Sequence, residues 1–416
     1  MSELLPTATS ADDLGARREL PAASGGGPRI LLYSYDSYGL GHLRRTLTIA
    51  AALAEARPDV SVLIVSGNPC ATQFALPKGV EIVKLPAVTK DDDGAYASRN
   101  LRGGLELIAR LRRNLLLEAF ESFQPDVLIA DHQPIGWNGE LLPVLHRAKR
   151  NGARCILGLR DIIDEPAVVA REWSHPDIRE ALSGLYERVC VYGDARIFDQ
   201  RREYPIPPEL APRVEYVGYV VRGGTVRAAA SGAISRPQVL MTAGGGEDGE
   251  SRVRCFLDAI RVAPPSWEST VVLGPLMHPA HARALKRAAR ALRNVRVHSF
   301  RADLTKLLVE SDVVVSMAGY NSVAEILQAR VNSVLLPRVF PRREQLIRAE
   351  RLDAAGLVAH LPALDPRALR AAIDGSFQRV RPWRSAPALD GHERMCEVVG
   401  QLLAPAAAAG VARSRG

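Results

Sequence analysis

Three glycine-rich turns, each placed between an apolar strand and a helix, constrain the fold of this chain most strongly. They lie at residues 37–42, 241–246 and 318–320. A strand that ends in glycine and leads into a helix presents free backbone N–H groups and the positive end of a helix dipole, which suits a phosphate group. With one turn in the first half of the chain and two in the second, the pattern predicts an α/β protein with two Rossmann-like domains facing a central cleft.

The length of 416 residues fits two such domains, because one α/β domain takes roughly 100 to 200 residues. We therefore predict a disordered leader (1–27), an N-terminal Rossmann-like domain (28–222), a linker (223–237), a C-terminal Rossmann-like domain (238–386), a C-terminal helix (387–405) and a disordered tail (406–416). The linker is rich in Gly, Ala and Ser, which is typical of a hinge between domains.

The cysteines and the apolar runs indicate the cellular compartment of the protein. The five cysteines are scattered without a C-x-x-C pair, so the sequence predicts neither a zinc site nor a disulfide framework. The apolar runs are also much shorter than the roughly 20 residues that a membrane-spanning helix needs. We expect a cytoplasmic protein without a metal site.

The chain carries a net charge of +8, which comes mostly from arginine. Because no basic tail or aromatic-interleaved patch accompanies this charge, nucleic acid is not an expected partner. A basic surface still favours anionic ligands or the anionic inner face of a membrane. The amphipathic helix predicted over 101–123 could make such a peripheral contact, although its pattern is more typical of a helix packed on a sheet.

The C-terminal half offers a cradle for a diphosphate and a clamp for a ribose. The glycines at 244–246 permit close backbone approach to a phosphate, and Thr242 adds a hydroxyl donor. The N–H groups of Asn321 and Ser322 would meet a second phosphate, and Glu325 could bind both hydroxyls of a ribose. The alternative is a capping box, in which Ser322 and Glu325 bond the backbone of their own helix. Taken alone, these residues favour the capping box.

The first glycine turn places His42 and Arg45 one helical turn apart. At a helix N-terminus the dipole disfavours the cationic form of His42, so its neutral imidazole can accept a proton. His42 could instead cap or pack the helix, and Arg45 could either contact phosphate or lie on the solvent face. Asp131 is a second candidate base, because it ends a strand at the carboxyl edge where α/β folds bind ligands.

The stretch Met-Ala-Gly-Tyr-Asn-Ser-Val-Ala-Glu at 317–325 and the segment 337–345 resemble the nucleotide-sugar-binding domain of glycosyltransferase family 28. Members of that family have the GT-B fold, in which two Rossmann-like domains face each other and the C-terminal one holds the donor. The resemblance covers most of residues 236–360. In the N-terminal half it is carried by the Gly-Leu-Gly-His at 39–42, a loop that is also similar to the UDP-sugar hydrolase of pseudaminic acid synthesis. The chain departs from the family at Arg348, where members often have Asn, so the resemblance does not identify the donor sugar.

The resemblance implies a role for each matching residue. Glu325 would bind the donor ribose, and Glu344 and Gln345 would contact hydroxyls of the donor sugar and ribose. Residues 242–246 would hold the diphosphate, and Phe300 would lie near the nucleobase. The predicted donor site comprises Gly39, Gly41, Arg45, Thr242, Gly244, Gly245, Gly246, Phe300, Gly319, Asn321, Ser322, Glu325, Glu344 and Gln345.

The implied function is transfer of a sugar from a nucleotide-sugar, a UDP-sugar by resemblance, to an acceptor hydroxyl with inversion. His42 or Asp131 would act as the base, with no metal or cofactor, and the acceptor is not identified. Polar pairs at the strand ends 131–132, 160–161 and 193–194 could line an acceptor pocket, although their aspartates suit helix N-caps equally well. A UDP-sugar hydrolase of the same fold and a non-catalytic nucleotide-sugar-binding protein are the alternatives.

Overall fold

The structure of the chain, a computed structural model, describes residues 26–35, 40–90, 96–221, 236–301 and 304–404. The predicted leader up to residue 25, the predicted donor residue Gly39, linker residues 223–235 and the predicted tail lie outside this part of the chain. The domain boundaries drawn from the sequence stay a prediction.

The first half is built on a parallel sheet. Its strands are β1 (Arg29–Ser34), β2 (Ser61–Ser66), β3 (Val80–Lys84), β4 (Val88–Lys90), β5 (Tyr96–Ser98), β6 (Val127–Asp131), β7 (Arg154–Arg160), β8 (Arg188–Tyr192) and β9 (Val214–Tyr216). Seven of them form one sheet in the order β3-β2-β1-β6-β7-β8-β9, and β4 pairs with β5 as an antiparallel hairpin. The apolar run at 30–33 is buried along its whole length, as expected for a parallel strand covered on both faces.

Helices cover this sheet and connect its strands. They are α1 (Gly41–Ala56), α2 (Leu105–Phe123), α3 (Leu142–Asn151), α4 (Pro166–Trp173), α5 (Pro176–Gly184) and α6 (Gln200–Glu203). In α1, Leu43, Ile49, Ala50 and Leu53 are buried, so one apolar face of the helix is covered.

The second half repeats the scheme with six parallel strands. These are β10 (Gln238–Thr242), β11 (Glu268–Val272), β12 (Val295–His298), β13 (Val313–Ser316), β14 (Asn332–Leu335) and β15 (Ala359–His360), in the order β12-β11-β10-β13-β14-β15. The helices are α7 (Glu250–Val262), α8 (Pro279–Arg290), α9 (Thr305–Glu310), α10 (Tyr320–Ala329), α11 (Glu344–Ala354), α12 (Pro366–Ser376) and α13 (Gly391–Leu403). Within the described residues, no helix has both the length and the apolar character needed to span a membrane.

Each sheet reverses its strand order at one point, between β1 and β6 in the first sheet and between β10 and β13 in the second. Parallel α/β sheets bind ligands in the crevice outside the carboxyl ends of the two strands that flank such a reversal. In the first sheet these ends are Ser34 and Asp131, and in the second they are Thr242 and Ser316, each pair being partners in register. The topology therefore predicts ligand binding at the same two sheet edges that the glycine turns indicate.

Helix α13, the last one within the described residues, packs on the first half. Met395, Val398 and Val399 of α13 are buried in one apolar cluster with Ile30 of β1 and Ile49 of α1. The chain thus crosses back to the half in which it started, and this crossing ties the two halves together a second time.

The helix predicted over 101–123 differs from the observed α2. It begins at Leu105, and two leucines at its centre, Leu111 and Leu115, are exposed. Arg112 is buried in their place, because Glu140 accepts hydrogen bonds from its Nε and Nη2 at 2.6 and 2.5 Å. An arginine with a buried carboxylate partner can occupy a core position, which an apolar pattern does not reveal.

A buried ion pair joins the two halves. Arg348 of α11 is fully buried and donates from Nε and Nη2 to the two carboxylate oxygens of Asp161, at 2.8 and 2.6 Å. Its Nη1 donates to the carbonyl of Ala318 at 2.7 Å, and the hydroxyl of Tyr219 donates to Asp161 at 2.9 Å. We call Arg348–Asp161 the buried joint. The resemblance linked position 348 to the choice of donor sugar. In the structure, the guanidinium of Arg348 instead binds Asp161 and the carbonyl of Ala318.

Within the described residues, five more ion pairs connect the halves. One of them joins Arg342 to the buried carboxylate of Asp164 at 3.2 Å, and the other four lie at the edges of the contact. These rim pairs are Arg44–Glu325, Arg342–Glu172, Arg343–Glu165 and Arg351–Glu203, at 3.0, 2.7, 2.6 and 2.8 Å. Their side chains remain between 21% and 47% exposed, so water and salt screen them.

We predict that Arg348→Ala lowers the free energy of unfolding by about 3–5 kcal/mol, because it leaves the carboxylate of Asp161 buried and unpaired. Arg351→Ala, one helical turn away, removes only a partly exposed pair and should cost about 0–1 kcal/mol. Urea denaturation of both variants measures the difference. Equal losses in the two variants would contradict the role given to the buried joint.

Candidate active site

A cleft of about 270 Å³ lies where the two selected sheet edges face each other. The first half contributes the start of α1 together with Phe74 and Arg160. The second half contributes the glycine turn at 243–248, the start of α10 and the start of α11. Within the described residues, no group of three or more His, Cys, Asp or Glu side chains is arranged to hold a metal ion.

His42 and Asp131 form a dyad on the N-terminal wall of this cleft. His42 is the second residue of α1, and Asp131 ends the neighbouring strand β6. Nδ1 of His42 lies 2.6 Å from Oδ2 of Asp131. Because an ionised carboxylate only accepts hydrogen bonds, the proton between them belongs to Nδ1, and Nε2 keeps its lone pair. His42 lines the cleft, whereas Asp131 is buried behind it.

Arg45 holds the carboxylate of the dyad in place. Its Nε and Nη2 donate to Oδ1 of Asp131 at 3.0 and 2.6 Å, and its guanidinium packs over the rings of Tyr192 and Tyr320. Arg45 is 2% exposed, so the expectation that it might lie on the solvent face is wrong. The donor role predicted for it also changes, because its cation is engaged with Asp131.

Burial and charge act on the dyad in opposite directions. Desolvation lowers the pKa of His42 to about 4, and the attraction of Asp131 only partly offsets this effect. Burial would raise the pKa of Asp131, but the charge of Arg45 and the contacts and hydrogen bonds of His42 and Arg45 together outweigh it and hold that pKa below its usual range. The pair therefore consists of a neutral imidazole and an ionised carboxylate at neutral pH.

A second histidine supports the dyad. His132 follows Asp131 with a positive φ of 77°, and its ring stacks on that of His42 with the centroids 5.0 Å apart. Tyr35 meets both rings edge-on, at 5.8 and 6.0 Å. Burial, followed by the charge of Arg160, holds the pKa of His132 well below its usual value. The face of His42 is thus fixed by neutral aromatic contacts.

The N-terminus of α10 stands on the opposite wall. The helix begins at Tyr320, and Gly319 precedes it without a side-chain cap, so its first N–H groups are available to an anion. Asn321 and Ser322 line the cleft as predicted. The side-chain amide of Asn321 donates to the carbonyl of Gly41 at 3.1 Å, which brings the starts of α1 and α10 together.

The glycine turn after β10 needs glycine for geometric reasons at two positions. Gly244 and Gly246 have φ values of 61° and 95°, and a Cβ on Gly246 would lie 2.5 Å from the carbonyl oxygen of Leu273. Thr242 is not one of the described residues that line the cleft. Its hydroxyl accepts the N–H of Gly244 at 3.3 Å, so it stabilises the turn and does not reach a phosphate as predicted.

Glu325 does not form the capping box that the sequence allowed. Because α10 begins at Tyr320, Ser322 lies inside the first turn and cannot be the N-cap. Oε1 of Glu325 instead accepts from Nη2 of Arg44 in α1 at 3.0 Å, and Glu325 lines the cleft. The carboxylate therefore lies at the cleft and pairs with the other half, and its role in binding a ribose stays a prediction.

Glu344 and Gln345 also line the cleft. Glu344 accepts from Nη2 of Arg338 at 2.5 Å, and its other oxygen is buried without a hydrogen-bond partner. The side-chain oxygen of Gln345 accepts the backbone N–H of Arg338 at 3.1 Å, which leaves its amide group for a ligand. Phe300 lies at the cleft with half of its surface exposed, as expected for a platform under a nucleobase.

The structure adds cleft residues that the sequence did not single out, notably Phe74, Glu247 and Arg338. Arg338 pairs with both Asp248 and Glu344, so it joins the glycine turn to α11. Glu247 follows the glycine triplet directly, and this adjacency was the one available signal. Phe74 comes from a loop far from any motif, and nothing in the sequence marks it.

Three polar pairs were predicted to end strands near an acceptor pocket, and they have different surroundings. Residues 131–132 and Arg160 meet at the dyad. Asp161 belongs to the buried joint, and Asp194 pairs with Arg196 next to it in the chain.

No protein-family model and no curated protein sequence matches this chain. Solved structures match it over nearly its whole length. The glycotransferase of kitacinnamycin has 17% identity and a TM-score of 0.59, over 91% of this chain and 99% of that one. MurG from Acinetobacter baumannii has 15% identity and a TM-score of 0.56, over 90% of this chain and 100% of that one.

A UDP-glucosyltransferase from Polygonum tinctorium capable of glucosylating indoxyl also matches. It has 15% identity and a TM-score of 0.56, over 90% of this chain and 93% of that one. These proteins are GT-B glycosyltransferases, and the predicted fold class, two Rossmann-like domains facing a central cleft, is confirmed.

We predict that ¹⁵N NMR of the ¹⁵N-labelled protein shows the imidazole of His42 neutral and protonated on Nδ1 at neutral pH. Its pKa in a pH titration should be about 4. His42→Gln identifies its signals, because they disappear from the spectrum of that variant. A midpoint at or above the ordinary value of about 6.5 would show that the imidazole is not desolvated as described.

Proposed function

We propose that this protein is a glycosyltransferase that moves a sugar from a UDP-sugar to an acceptor hydroxyl, with inversion and without a metal ion. The observation that carries the proposal is the placement of the His42–Asp131 dyad opposite the uncapped N-terminus of α10. A proton acceptor and a site for a departing diphosphate then face each other across one cleft. Transfer of a glycosyl group needs both.

His42 is the general base in this mechanism. Nε2 takes the proton of the acceptor hydroxyl while that oxygen attacks the anomeric carbon, and the bond from this carbon to the diphosphate oxygen breaks. Asp131 orients the ring through Nδ1 and stabilises the imidazolium that forms. Asp131 is a poor candidate for the base itself, because His42 and Arg45 already occupy its two oxygens. Attack from the face opposite the leaving group inverts the anomeric centre.

The second half would bind UDP and stabilise it as it leaves. The N–H groups of Asn321, Ser322 and Gly245 can donate to the diphosphate, because those of Gly244 and Gly246 are bonded within the turn. The dipole of α10 favours the negative charge of the diphosphate. Phe300 would stack on the uracil, and Glu325 would bind the ribose. The similarity to a UDP-glucosyltransferase of the same fold supports UDP as the nucleotide.

Glu344 and Gln345 would contact the hydroxyls of the sugar. The unpaired oxygen of Glu344 and the amide of Gln345 lie in the cleft and provide an acceptor and a donor. Membership of glycosyltransferase family 28 remains part of the proposal, and the similarity to MurG supports it.

A cytoplasmic location with peripheral contact to an anionic membrane is also proposed. Leu111 and Leu115 lie exposed on α2, and Arg110 and Arg113 are exposed beside them. An apolar pair flanked by cations suits the surface of an anionic membrane.

Hydrolysis of the UDP-sugar is the second candidate function. The dyad would activate a water molecule as readily as a hydroxyl, and Arg45, which the sequence shares with a UDP-sugar hydrolase, holds Asp131 in either case. The two functions differ in whether an acceptor raises the rate of UDP release.

We predict that the protein releases UDP from a UDP-sugar faster when an acceptor is present, and that EDTA does not change this rate. His42→Ala should lower kcat roughly 100- to 10,000-fold, because it removes the base. It should leave UDP affinity unchanged. Glu325→Ala should weaken UDP binding roughly tenfold or more, because hydrogen bonds to a charged group contribute about 1.5–3 kcal/mol.

Glu310→Ala, which removes an exposed glutamate on α9, is the matched control and should bind UDP normally. Calorimetric titration with UDP, GDP and dTDP measures binding, and coupled detection of UDP measures turnover. UDP release that no acceptor accelerates would favour the hydrolase. UDP binding without turnover, unaltered by His42→Ala, would favour a non-catalytic binding protein.

We predict that affinity for UDP-glucose falls as the pH rises through about 7, the value to which burial and the charge of Asp248 raise the pKa of Glu247. Glu247 is neutral below this pH and negative above it, and a negative side chain in the glycine turn repels the diphosphate. The phosphates of UDP-glucose do not titrate in this range, so the change reports on the protein. Calorimetry about one pH unit on either side of the midpoint measures it.

Glu247→Gln should abolish this pH dependence, whereas Glu250→Gln, in the first turn of α7, should retain it. A dependence that survives in Glu247→Gln would show that another group is responsible.

A further inference from the structure

Arg160 is a cation at the cleft that has no carboxylate partner within the described residues. It ends β7 on the N-terminal wall. Its Nη2 makes two long contacts, at 3.4 Å to Nε2 of His132 and at 3.5 Å to the carbonyl of Ile163. Its Nε is buried without a hydrogen-bond partner. A partly buried guanidinium without a counter-ion is unfavourable, so a bound anion would stabilise this arrangement.

The other arginines of the cleft show how unusual this is. Within the described residues, Arg44, Arg45, Arg338 and Arg348 each have a carboxylate within 3.0 Å, from Glu325, Asp131, Glu344 and Asp161. Arg301 is exposed, so water solvates it. Among these arginines, Arg160 alone is partly buried, with its Nε fully covered, and lacks a counter-ion within the described residues. Burial lowers its pKa to about 10, so it stays charged at neutral pH.

Arg160 lies beside the proposed base. The ring of His132 stacks on His42 and contacts Arg160 through Nε2, so the three side chains form a row along the ends of neighbouring elements. Because the neutral ring of His132 accepts from Arg160 at Nε2, its proton lies on Nδ1, which is buried without a partner. An unfavourable backbone conformation at His132 keeps this row in place, which is typical of functional sites.

We propose that Arg160 binds an anionic group of the acceptor, a carboxylate or a phosphate, while His42 takes the proton of the acceptor hydroxyl. This inference rests on the proposed transferase function. The diphosphate of the donor belongs to the wall formed by α10 and the glycine turn, whereas Arg160 lies on the wall that carries the base. The planar fork of a guanidinium binds either anion in two-point fashion.

The nearest carboxylate on the far wall does not prevent such binding. The charge of Glu344 acts on Arg160 from across the cleft, yet no contact within 4.0 Å joins them, and Glu344 is already paired with Arg338. An anion on Arg160 therefore faces a carboxylate whose charge is largely compensated.

The test compares acceptors that differ only in charge. With UDP-glucose as donor, kcat/KM is measured for 4-hydroxybenzoate and for its methyl ester. The wild-type protein should prefer the acid, and Arg160→Gln should lower the ratio of the two values roughly 10- to 100-fold, as expected for a lost charge-assisted hydrogen bond. Arg160→Lys should restore part of the ratio. The matched control Arg301→Gln should leave the ratio as in the wild type.

Binding to the UDP-saturated protein gives a second readout that needs no turnover. Calorimetric titration with 4-hydroxybenzoate, its methyl ester and inorganic phosphate should show that the two anions bind and that Arg160→Gln removes this binding. If the protein transfers no sugar, the proposed function fails, and this titration still decides whether Arg160 holds an anion beside UDP.

Two results would overturn the proposal. One is an equal preference of the wild-type protein for acid and ester, together with no binding of either anion. The other is a loss of affinity for UDP in Arg160→Gln that accounts for its whole effect on kcat/KM, because Arg160 would then bind the donor diphosphate.

Discussion

The geometry of this site depends on one ion pair that is almost free of water, the buried joint between Asp161 and Arg348. Asp161 comes directly after the strand that ends in Arg160, and Arg348 also holds the carbonyl of Ala318 just before α10. The joint therefore connects the wall with the dyad to the wall with the free helix terminus. Since a desolvated pair is favourable only while both partners are in place, it specifies one arrangement of the two halves more than it adds stability.

The chemistry of the dyad follows from a second balance between burial and charge. Desolvation keeps the imidazole of His42 neutral, and Arg45 keeps the carboxylate of Asp131 ionised in the same buried place. Without Arg45, burial would favour a protonated Asp131, which has no negative charge to stabilise the imidazolium that forms on His42. A base with an available lone pair at neutral pH thus depends on an arginine that holds the carboxylate behind it.

The sequence predicted the fold and the general position of the site, because both follow from local patterns. Apolar strands, glycine turns and helix starts are encoded by neighbouring residues, and the carboxyl edges of parallel strands then place His42 and Glu325 at one cleft. It failed where the partner is distant in the chain. The buried positions of Arg45, Arg112 and Arg348 depend on carboxylates 86, 28 and 187 residues away.

Smaller errors have the same origin. The hydroxyl of Thr242 accepts the N–H of Gly244, which has a positive φ, and a sequence pattern does not show which N–H group a hydroxyl will bind. The start of α10 at Tyr320, slightly earlier than the capping-box pattern implied, was enough to direct Glu325 towards the other half instead of its own backbone.

The contrast between the buried joint and the rim pairs also determines how the molecule responds to its ionic surroundings. Dissolved ions reach the rim pairs and weaken them over a Debye length of about 8 Å at physiological ionic strength, whereas the joint is shielded. Concentrated electrolyte therefore loosens the periphery of the contact before its centre.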